Sequence, residues 1–405
     1  MQELTEHYKG NIKKILCAKI GIIPPVQGNT LCRQMKSRFD NRRVAVLASF
    51  SGEGGVERML LNLLRAWVDQ GVDVDLLRIK RRGPFAERIP AGVNTIDLPI
   101  RHSWGNIVSL ARYFRNHPLR PLLAAKERAG QTALVARKLA RTRNRIFIRL
   151  GTHLSTALRD KSAPRRWLRF KTAGLLYPSA DGIIAISRGV AEDVARFAQL
   201  PEEMIRVIPN PVISPEIKKA SMEPVDHPWL IDGSGSVLLA AGRLTRQKDF
   251  STLIRALAKI RESREARLII LGEGPKRVEL EDLSRQLGLE CVIDMPGFAT
   301  NPYKFMAQAD VFVLSSVWEG FGNVLAEAMS LGVPVVSTDC PSGPGEMLQQ
   351  GSLSPLAGVG DPQDLARAVL GVLENPPSSK TLQNAVANYA VEASAKRYLD
   401  TLFPI

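Results

Sequence analysis

The chain has 405 residues, of which 45% are hydrophobic and 23% are charged. These values are typical of a globular protein with two or three domains, and the lack of an apolar run of about 18 residues argues against a membrane-spanning helix. The formal net charge of +15 comes from the first half, because residues 1–212 carry 37 Lys and Arg against 17 Asp and Glu. A basic half of this kind predicts an anionic partner.

The basic excess is strongest between residues 101 and 171, where 18 Lys and Arg accompany only two acidic residues. Nucleic acid, an anionic membrane leaflet and a phosphorylated acceptor would each match this charge, while a solvated basic face needs no partner. The cysteines are scattered without the close spacing of metal ligands, which predicts a reduced, cytoplasmic protein. They are Cys17, Cys32, Cys291 and Cys340.

The first half of the chain predicts alternating strands and helices. Residues 1–41 show no clear period and are predicted to form an N-terminal extension. A buried strand at 42–50 then leads through Gly54 and Gly55 into an amphipathic helix. Glycines here let the backbone approach a ligand closely, although a tight strand–helix turn explains them equally well. Further strands are predicted at 72–79, 93–100, 145–150, 180–187 and 205–212, and helices at 104–115, 126–141, 164–177 and 188–197.

Two features of this half are candidates for function. His153 follows the strand at 145–150, and a residue just past the end of a strand is well placed for a site, although a lone histidine is more often structural. The helix at 164–177 is rich in arginine and carries Trp167 and Leu168. Such a helix presents basic and aromatic residues to a membrane surface, while packing on the sheet accounts equally well for its apolar residues.

The second half of the chain predicts a second domain of the same kind. Residues 213–235 hold prolines and glycines without a period and are predicted to be a linker. Strands and helices then recur over 236–380, and a closing helical segment is predicted at 381–405. Two series of similar size predict an α/β protein with two Rossmann-like, doubly wound domains, 42–212 and 236–380, that face a common cleft.

Charged residues follow two strands of the second domain. Arg243 and Lys248 flank the start of a helix, where two cations beside free N–H groups suit a diphosphate, although plain surface charge is the alternative. The strand at 311–314 leads into a loop with Glu319 and then into a helix that carries Glu327. The two carboxylates would accept hydrogen bonds from sugar hydroxyls while the helix N–H groups face an anion, and a sugar nucleotide offers both kinds of group. Each acid alone is also explained as a solvated residue.

Taken in order, these motifs resemble the retaining nucleotide-sugar glycosyltransferases of the GT-B fold, group 1 or family 4 type. The resemblance extends over about residues 42–403, and Asp249 departs from it, because relatives often have glycine at that position. Its main motifs are GGVERML at 54–60, ADGIIAIS at 180–187, GRLTRQKDF at 242–250 and EGFGNVLAE at 319–327.

The resemblance implies that the second domain holds the sugar nucleotide and the first domain the acceptor. Arg243 and Lys248 would hold the diphosphate and stabilise it as it leaves, Glu319 would bind sugar hydroxyls, and Glu327 would bind the ribose. His153 matches a histidine that many relatives have near the reacting carbon, so catalytic roles are implied for it, for Glu319 and for the two cations. Further nucleotide contacts are implied for Gly54, Gly55, Gly320, Phe321, Gly322, Asn323 and Val324.

The resemblance further implies a UDP- or GDP-linked donor sugar, no metal or other cofactor, and a glycan, lipid-linked or lipopolysaccharide-type acceptor. The predicted protein is therefore a cytoplasmic hexosyltransferase of polysaccharide biosynthesis, held at the inner face of an anionic membrane by its basic half. A nucleotide-sugar 2-epimerase of the same architecture is one alternative. A basic nucleic-acid-binding protein is the other, although no aromatic-interleaved platform or known motif accompanies the charge, so nucleic acid is not the expected partner.

Overall fold

The computed structural model describes residues 42–50, 54–81, 85–98, 103–233 and 235–404. The predicted extension at 1–41 lies outside the described residues. The described chain forms two parallel β-sheets with helices packed between and around their strands. The predicted α/β class, with two doubly wound domains, is therefore confirmed.

The first sheet contains seven strands, which are β1 (Arg43–Phe50), β2 (Asp73–Arg81), β3 (Val93–Asp97), β4 (Leu122–Ala124), β5 (Ile146–Leu150), β6 (Gly182–Ala185) and β7 (Ile205–Val207). All neighbours are parallel, in the order β3-β2-β1-β4-β5-β6-β7. The central strands are mostly apolar because helices cover both faces of the sheet, although β5 contains the buried Arg149. The sequence did not predict β4, since three residues are too few to show a period, although all three are buried.

Among the residues that the structure describes, six helices accompany this sheet. Ser187 caps the last of them, because its hydroxyl accepts a hydrogen bond from the backbone N–H of Val190. The helices are α1 (Gly55–Asp69), α2 (Ser103–Asn116), α3 (Glu127–Ala140), α4 (Leu154–Ala157), α5 (Ala163–Leu176) and α6 (Arg188–Ala198).

The second sheet has six strands, which are β8 (Ser236–Ala241), β9 (Ala266–Leu271), β10 (Ile293–Gly297), β11 (Val311–Leu314), β12 (Val335–Thr338) and β13 (Leu356–Ala357). They are parallel in the order β10-β9-β8-β11-β12-β13. The helices of this part of the chain are α7 (Pro215–Ser221), α8 (Pro228–Ile231), α9 (Phe250–Ile260), α10 (Arg277–Gln286), α11 (Tyr303–Met306), α12 (Asn323–Ser330), α13 (Pro344–Met347), α14 (Pro362–Glu374), α15 (Ser379–Val386) and α16 (Val391–Leu402).

Two parts of the second half show features that the sequence did not predict. The segment predicted as an irregular linker contains α7 and α8, both of which begin with a proline, which is pre-organised for the first helical position. The last helix, α16, returns to the first domain and packs on α1. There the indole of Trp67 donates to the backbone carbonyl of Ala395 at 3.2 Å, so the end of the chain braces the first sheet.

The winding of the two sheets determines where a ligand can bind. In the first sheet the strand order reverses between β1 and β4, and in the second between β8 and β11. Open α/β sheets bind ligands at the carboxyl ends of such strands, because the loops there diverge and leave a crevice.

Within the described ranges, none of the helices combines the length and the apolar character of a membrane span.

Candidate active site

A cavity of about 860 Å³ lies between the two domains, at the carboxyl ends of both sheets. Its walls come from the loops after β1, β4 and β5 on one side and after β8, β9 and β11 on the other. Every predicted site residue except His153 lines it. These residues are Gly54, Gly55, Arg243, Lys248, Glu319, Gly320, Phe321, Gly322, Asn323, Val324 and Glu327.

Two glycines shape the loop between β11 and α12. Gly322 has φ of +87°, a left-handed conformation that side chains disfavour, and it turns the chain into the helix. A Cβ on Gly320 would lie 2.2 Å from the backbone oxygen of Gly151, so only glycine allows this approach between the domains. The hydroxyl of Ser187 donates to the carbonyl of Gly320 at 2.7 Å. The loop therefore touches the first domain while the first N–H groups of α12 keep no intrahelical partner.

Lys248 and Glu319 form an ion pair inside the cavity. The Lys248 ammonium lies 2.6 Å from Glu319 Oε1, and the hydroxyl of Ser316 donates to the same oxygen at 2.8 Å. Arg243 is exposed on the neighbouring loop after β8. Asp249 lies at the position where relatives often have glycine. Its φ of +45° is left-handed, a conformation that glycine adopts readily, which explains why glycine is common there. One predicted cation and one predicted acid thus neutralise each other when no ligand is bound.

Glu327 lies buried on α12 and contacts the first domain. Its Oε1 accepts from Arg58 of α1 at 3.2 Å and from the hydroxyl of Tyr303 at 3.4 Å. Its Oε2 has no hydrogen-bond partner among the described residues, although it is buried. Burial raises the pKa of Glu327, and the charge of Arg58 only partly opposes this rise. One carboxylate oxygen therefore remains able to accept a hydrogen bond from a ligand in the cavity.

Asn323 ties the glycine turn of the first domain to the second. Its side-chain oxygen accepts from the amide of Asn210 at 2.8 Å, and its amide donates to the carbonyl of Gly55 at 3.4 Å. The predicted turn at Gly54 and Gly55 therefore faces the start of α12 directly. The cavity is bordered by polar contacts from both domains rather than open on one side.

His153 stands apart from the other predicted residues. It caps the short helix α4, where its Nδ1 accepts from the backbone N–H of Thr156 at 3.4 Å and lies 3.6 Å from a carboxylate oxygen of Asp193. Its neighbours Gly151 and Thr152 line the cavity, whereas His153 does not. The catalytic role that the resemblance implies for His153 remains a prediction.

Sequence reasoning missed several residues that line the cavity. Arg58 was overlooked although it lies inside the glycine-turn motif, and Lys126 follows β4, the strand that was not predicted. The Lys126 ammonium lies 3.1 Å from the carboxylate of Glu57. Arg149 lies within the buried strand β5, where an apolar run predicts only core. The one available signal was a charged residue in an otherwise apolar strand, which is rare without a partner or a function.

Comparison with known proteins gives matches to two family models that follow each other along the chain. The model described as Glycosyltransferase Family 4 matches residues 53–213. The model described as Glycosyl transferases group 1 matches residues 223–390. The first match contains six of the seven strands of the first sheet, β2 to β7, and the second contains all six strands of the second sheet.

Individual relatives match the chain over different lengths. An N-acetylgalactosamine-N,N'-diacetylbacillosaminyl-diphospho-undecaprenol 4-alpha-N-acetylgalactosaminyltransferase of Campylobacter jejuni is 33% identical over 210 residues, which are 52% of this chain. The chain spans about half of that relative's length, 55%. The lipopolysaccharide core biosynthesis glycosyltransferase LpsE of Rhizobium meliloti is 26% identical over 362 residues, covering 87% of this chain and 97% of LpsE.

The fold is shared with solved structures. HepE of Anabaena, determined in complex with UDP and glucose, superposes with a TM-score of 0.71 at 22% identity. The match covers 89% of this chain and 99% of the HepE chain. The two-domain arrangement is therefore common to both proteins.

Proposed function

Because the chain belongs to the group 1, family 4 glycosyltransferases of the GT-B fold, we propose that it transfers a sugar from a nucleotide diphosphate sugar to a glycan, lipid-linked or lipopolysaccharide-type acceptor. The observation that carries this proposal is that Arg243, Lys248, Glu319 and Glu327 all line one cavity between the domains. The activities for which the Campylobacter and Rhizobium relatives are named, on a diphospho-undecaprenol-linked sugar and in lipopolysaccharide core synthesis, support this class of acceptor.

The donor is proposed to lie with its diphosphate between Arg243, Lys248 and the N-terminus of α12. Two cations and free helix N–H groups suit a diphosphate because they stabilise its negative charge without a metal ion. The unpartnered Oε2 of Glu327 would accept a hydrogen bond from the ribose. A UDP-linked sugar is the first donor to test, because HepE, which shares the fold, was determined in complex with UDP and glucose.

The reaction is proposed to retain the anomeric configuration. The bond between the anomeric carbon and the diphosphate oxygen breaks, and the electron pair stays on that oxygen, where Lys248 and Arg243 stabilise the developing charge. The acceptor hydroxyl approaches from the same side, bonds to the anomeric carbon and gives its proton to the leaving phosphate oxygen. Glu319 orients the sugar hydroxyls, and the contacts between the domains exclude water.

A thermal-shift panel of UDP, GDP and their common sugar conjugates tests the donor proposal. A ligand that binds only the folded state at 100 times its Kd adds about 2.7 kcal/mol of stability. We expect the matching nucleotide to raise Tm by about 5 °C, the shift that this energy gives for a domain of this size. Uridine at the same concentration serves as the control because it lacks the diphosphate. An unchanged Tm with every nucleotide diphosphate would contradict the proposal, and release of an epimerised sugar without acceptor would indicate the 2-epimerase.

The proposed setting is the cytoplasmic face of an anionic membrane, and helix α5 supports it. Trp167, Leu168 and Leu175 are 61%, 56% and 79% exposed and fall within about 100° of the helix circumference. Arg165 and Lys171 are exposed beside them, the Lys171 ammonium lies 5.9 Å from the Trp167 ring centroid, and α5 contains no acidic residue. An exposed apolar stripe that contains Lys171 and adjoins Arg165 suits a helix that lies in a bilayer interface.

Removal of the apolar stripe should release the protein from vesicles. For the triple variant Trp167→Ser, Leu168→Ser and Leu175→Ser we expect at least tenfold weaker partitioning onto vesicles with about 30% anionic lipid, because three side chains lose their apolar contact. Flotation measures the bound fraction, which should also fall as salt rises. The matched control is Met222→Ser with Val278→Ser, which removes exposed apolar side chains elsewhere. Equal flotation of the triple variant and the wild type would refute the membrane role of α5.

A further inference from the structure

A second cavity, of about 450 Å³, opens from the cleft into the first domain. Val56, Lys126, Arg149, Gly151 and Thr152 line both cavities and form the junction between them. The second cavity lies beneath α5, among α4, α6 and the end of β5. It is therefore a side pocket on the side of the cleft that faces away from the proposed diphosphate site.

Away from the junction the side pocket is lined mainly by apolar side chains, and its charged lining residues there are Glu127, Arg128, Arg169 and Asp193. Leu154 and Leu158 contribute from the segment of α4, and Val194 and Phe197 from α6. The ring of Phe197 stacks on Phe170 of α5, with centroids 5.1 Å apart. The same helix thus covers the pocket with its inner face and presents the exposed Trp and Leu side chains on its outer face. Such walls suit an aliphatic chain rather than a second sugar.

Arg149 places an unneutralised positive charge at the junction. Its side chain is only 1% exposed, and it donates to the side-chain oxygen of Asn210 at 2.7 Å and to the backbone carbonyl of Ala125 at 3.4 Å. Its Nε has no partner in the described part of the chain, where no carboxylate lies within ion-pair distance of it. A buried cation without an anion is costly, because water is lost and no opposite charge replaces it.

The neighbouring cations differ from Arg149 in this respect. Lys126 pairs with Glu57, and Arg169 of α5 pairs with Glu127. Burial raises the pKa of the Tyr398 phenol, and the charge of Arg149 opposes that rise, so the phenol beside Arg149 is a neutral neighbour. Arg149 therefore has no ion-pair partner among the described residues, at a point that both cavities reach.

We propose that Arg149 binds the phosphate of the acceptor and that the side pocket holds an apolar chain attached to that phosphate. This inference rests on the proposed function and narrows its acceptor to an anionic amphiphile, in which a phosphate lies next to a hydrocarbon chain. Guanidinium groups bind phosphate with short, charge-assisted hydrogen bonds, and Arg149 lines both cavities. The donor diphosphate has its own cations, Arg243 and Lys248, in the other domain, which leaves Arg149 for the acceptor.

The proposal is tested by calorimetric titration of the whole chain with octyl phosphate, octyl glucoside and inorganic phosphate. Each octyl compound is kept below its micelle concentration, and UDP is present in excess. Wild-type protein should bind octyl phosphate at least tenfold more tightly than either other probe, since only octyl phosphate carries both a phosphate and an alkyl chain. Arg149→Met should weaken octyl phosphate at least tenfold while its Kd for UDP, measured separately, stays within threefold. Arg206→Met, an exposed arginine on β7, is the matched control and should bind like the wild type.

A second variant guards against misfolding of Arg149→Met. Ala157→Phe fills the side pocket from the half-buried helix α4 and leaves Arg149 in place. It should weaken octyl phosphate at least tenfold without changing inorganic phosphate binding. Equal octyl phosphate affinity in both variants and the wild type would overturn the proposal, as would a loss of UDP binding alone in Arg149→Met. If the wild type does not bind UDP but its binding of octyl phosphate still depends on Arg149, the donor proposal is overturned and the acceptor proposal stands.

Discussion

Replacement of Lys248 by alanine is expected to lower the rate of sugar transfer at least about 10²-fold, the effect of losing one strong electrostatic contact to a developing charge. Lys248 forms an ion pair at 2.6 Å with Glu319, the acid that is proposed to bind the sugar. When the donor binds, its diphosphate offers the ammonium a second anion, and this contact strengthens as the leaving group gains charge. The readout is nucleoside diphosphate released per second at saturating donor.

Two controls separate this loss from damage to the fold. Lys248→Ala leaves the buried carboxylate of Glu319 without its cation, and breaking a buried pair destabilises proteins by about 3–5 kcal/mol. The double variant Lys248→Ala with Glu319→Gln removes that charge and should recover Tm without recovering activity. Lys380→Ala, at an exposed lysine on α15, should behave like the wild type. Transfer within threefold of wild type in folded Lys248→Ala would contradict the role of this lysine.

The second large effect is expected at Glu319. Glu319→Gln should reduce transfer at least about 10²-fold, because the sugar loses the charged acceptor that orients its hydroxyls over the leaving group. Binding of UDP should not weaken, since UDP carries no sugar at that position. It should become equal or tighter, because Lys248 is then released from its ion pair. The measurement is turnover beside the Kd of UDP in the same preparation.

A matched variant tests whether this effect belongs to the site. Glu290→Gln changes an exposed glutamate on the loop before β10 and should alter neither turnover nor UDP affinity. Loss of UDP binding with normal turnover at saturating donor in Glu319→Gln would mean that this acid holds the nucleotide. The roles of Glu319 and Glu327 would then have to be exchanged.

The sequence predicted the fold well where periodicity is strong. The apolar runs of β1, β5, β8 and β11 are long enough to indicate buried parallel strands, and two such series indicate two doubly wound domains. It failed where elements are short. Strand β4 has three residues, and helices α7 and α8 lie in a proline-rich stretch that shows no period. These elements form because the surrounding structure supports them, which a local pattern does not reveal.

The candidate site was predictable as far as it depends on local order along the chain. Glu319 lies on the loop after a strand and Glu327 lies on the helix that follows, so the motif itself predicts that both lie at the same edge of the sheet. The pairing of Glu327 with Arg58 was not predictable, because it joins residues 269 positions apart in different domains. The same holds for Arg149, whose apolar strand predicts burial but not the lack of a neighbouring carboxylate.

The central claim is that the cavity between the domains binds a nucleotide diphosphate through Lys248 of the second domain. Calorimetric titration of UDP into the wild type, Lys248→Ala and Glu319→Gln tests it most directly. The predicted result is measurable binding by the wild type, at least tenfold weaker binding by Lys248→Ala, and equal or tighter binding by Glu319→Gln. The same UDP affinity in folded Lys248→Ala as in the wild type, or no binding of any nucleotide diphosphate by the wild type, would contradict it.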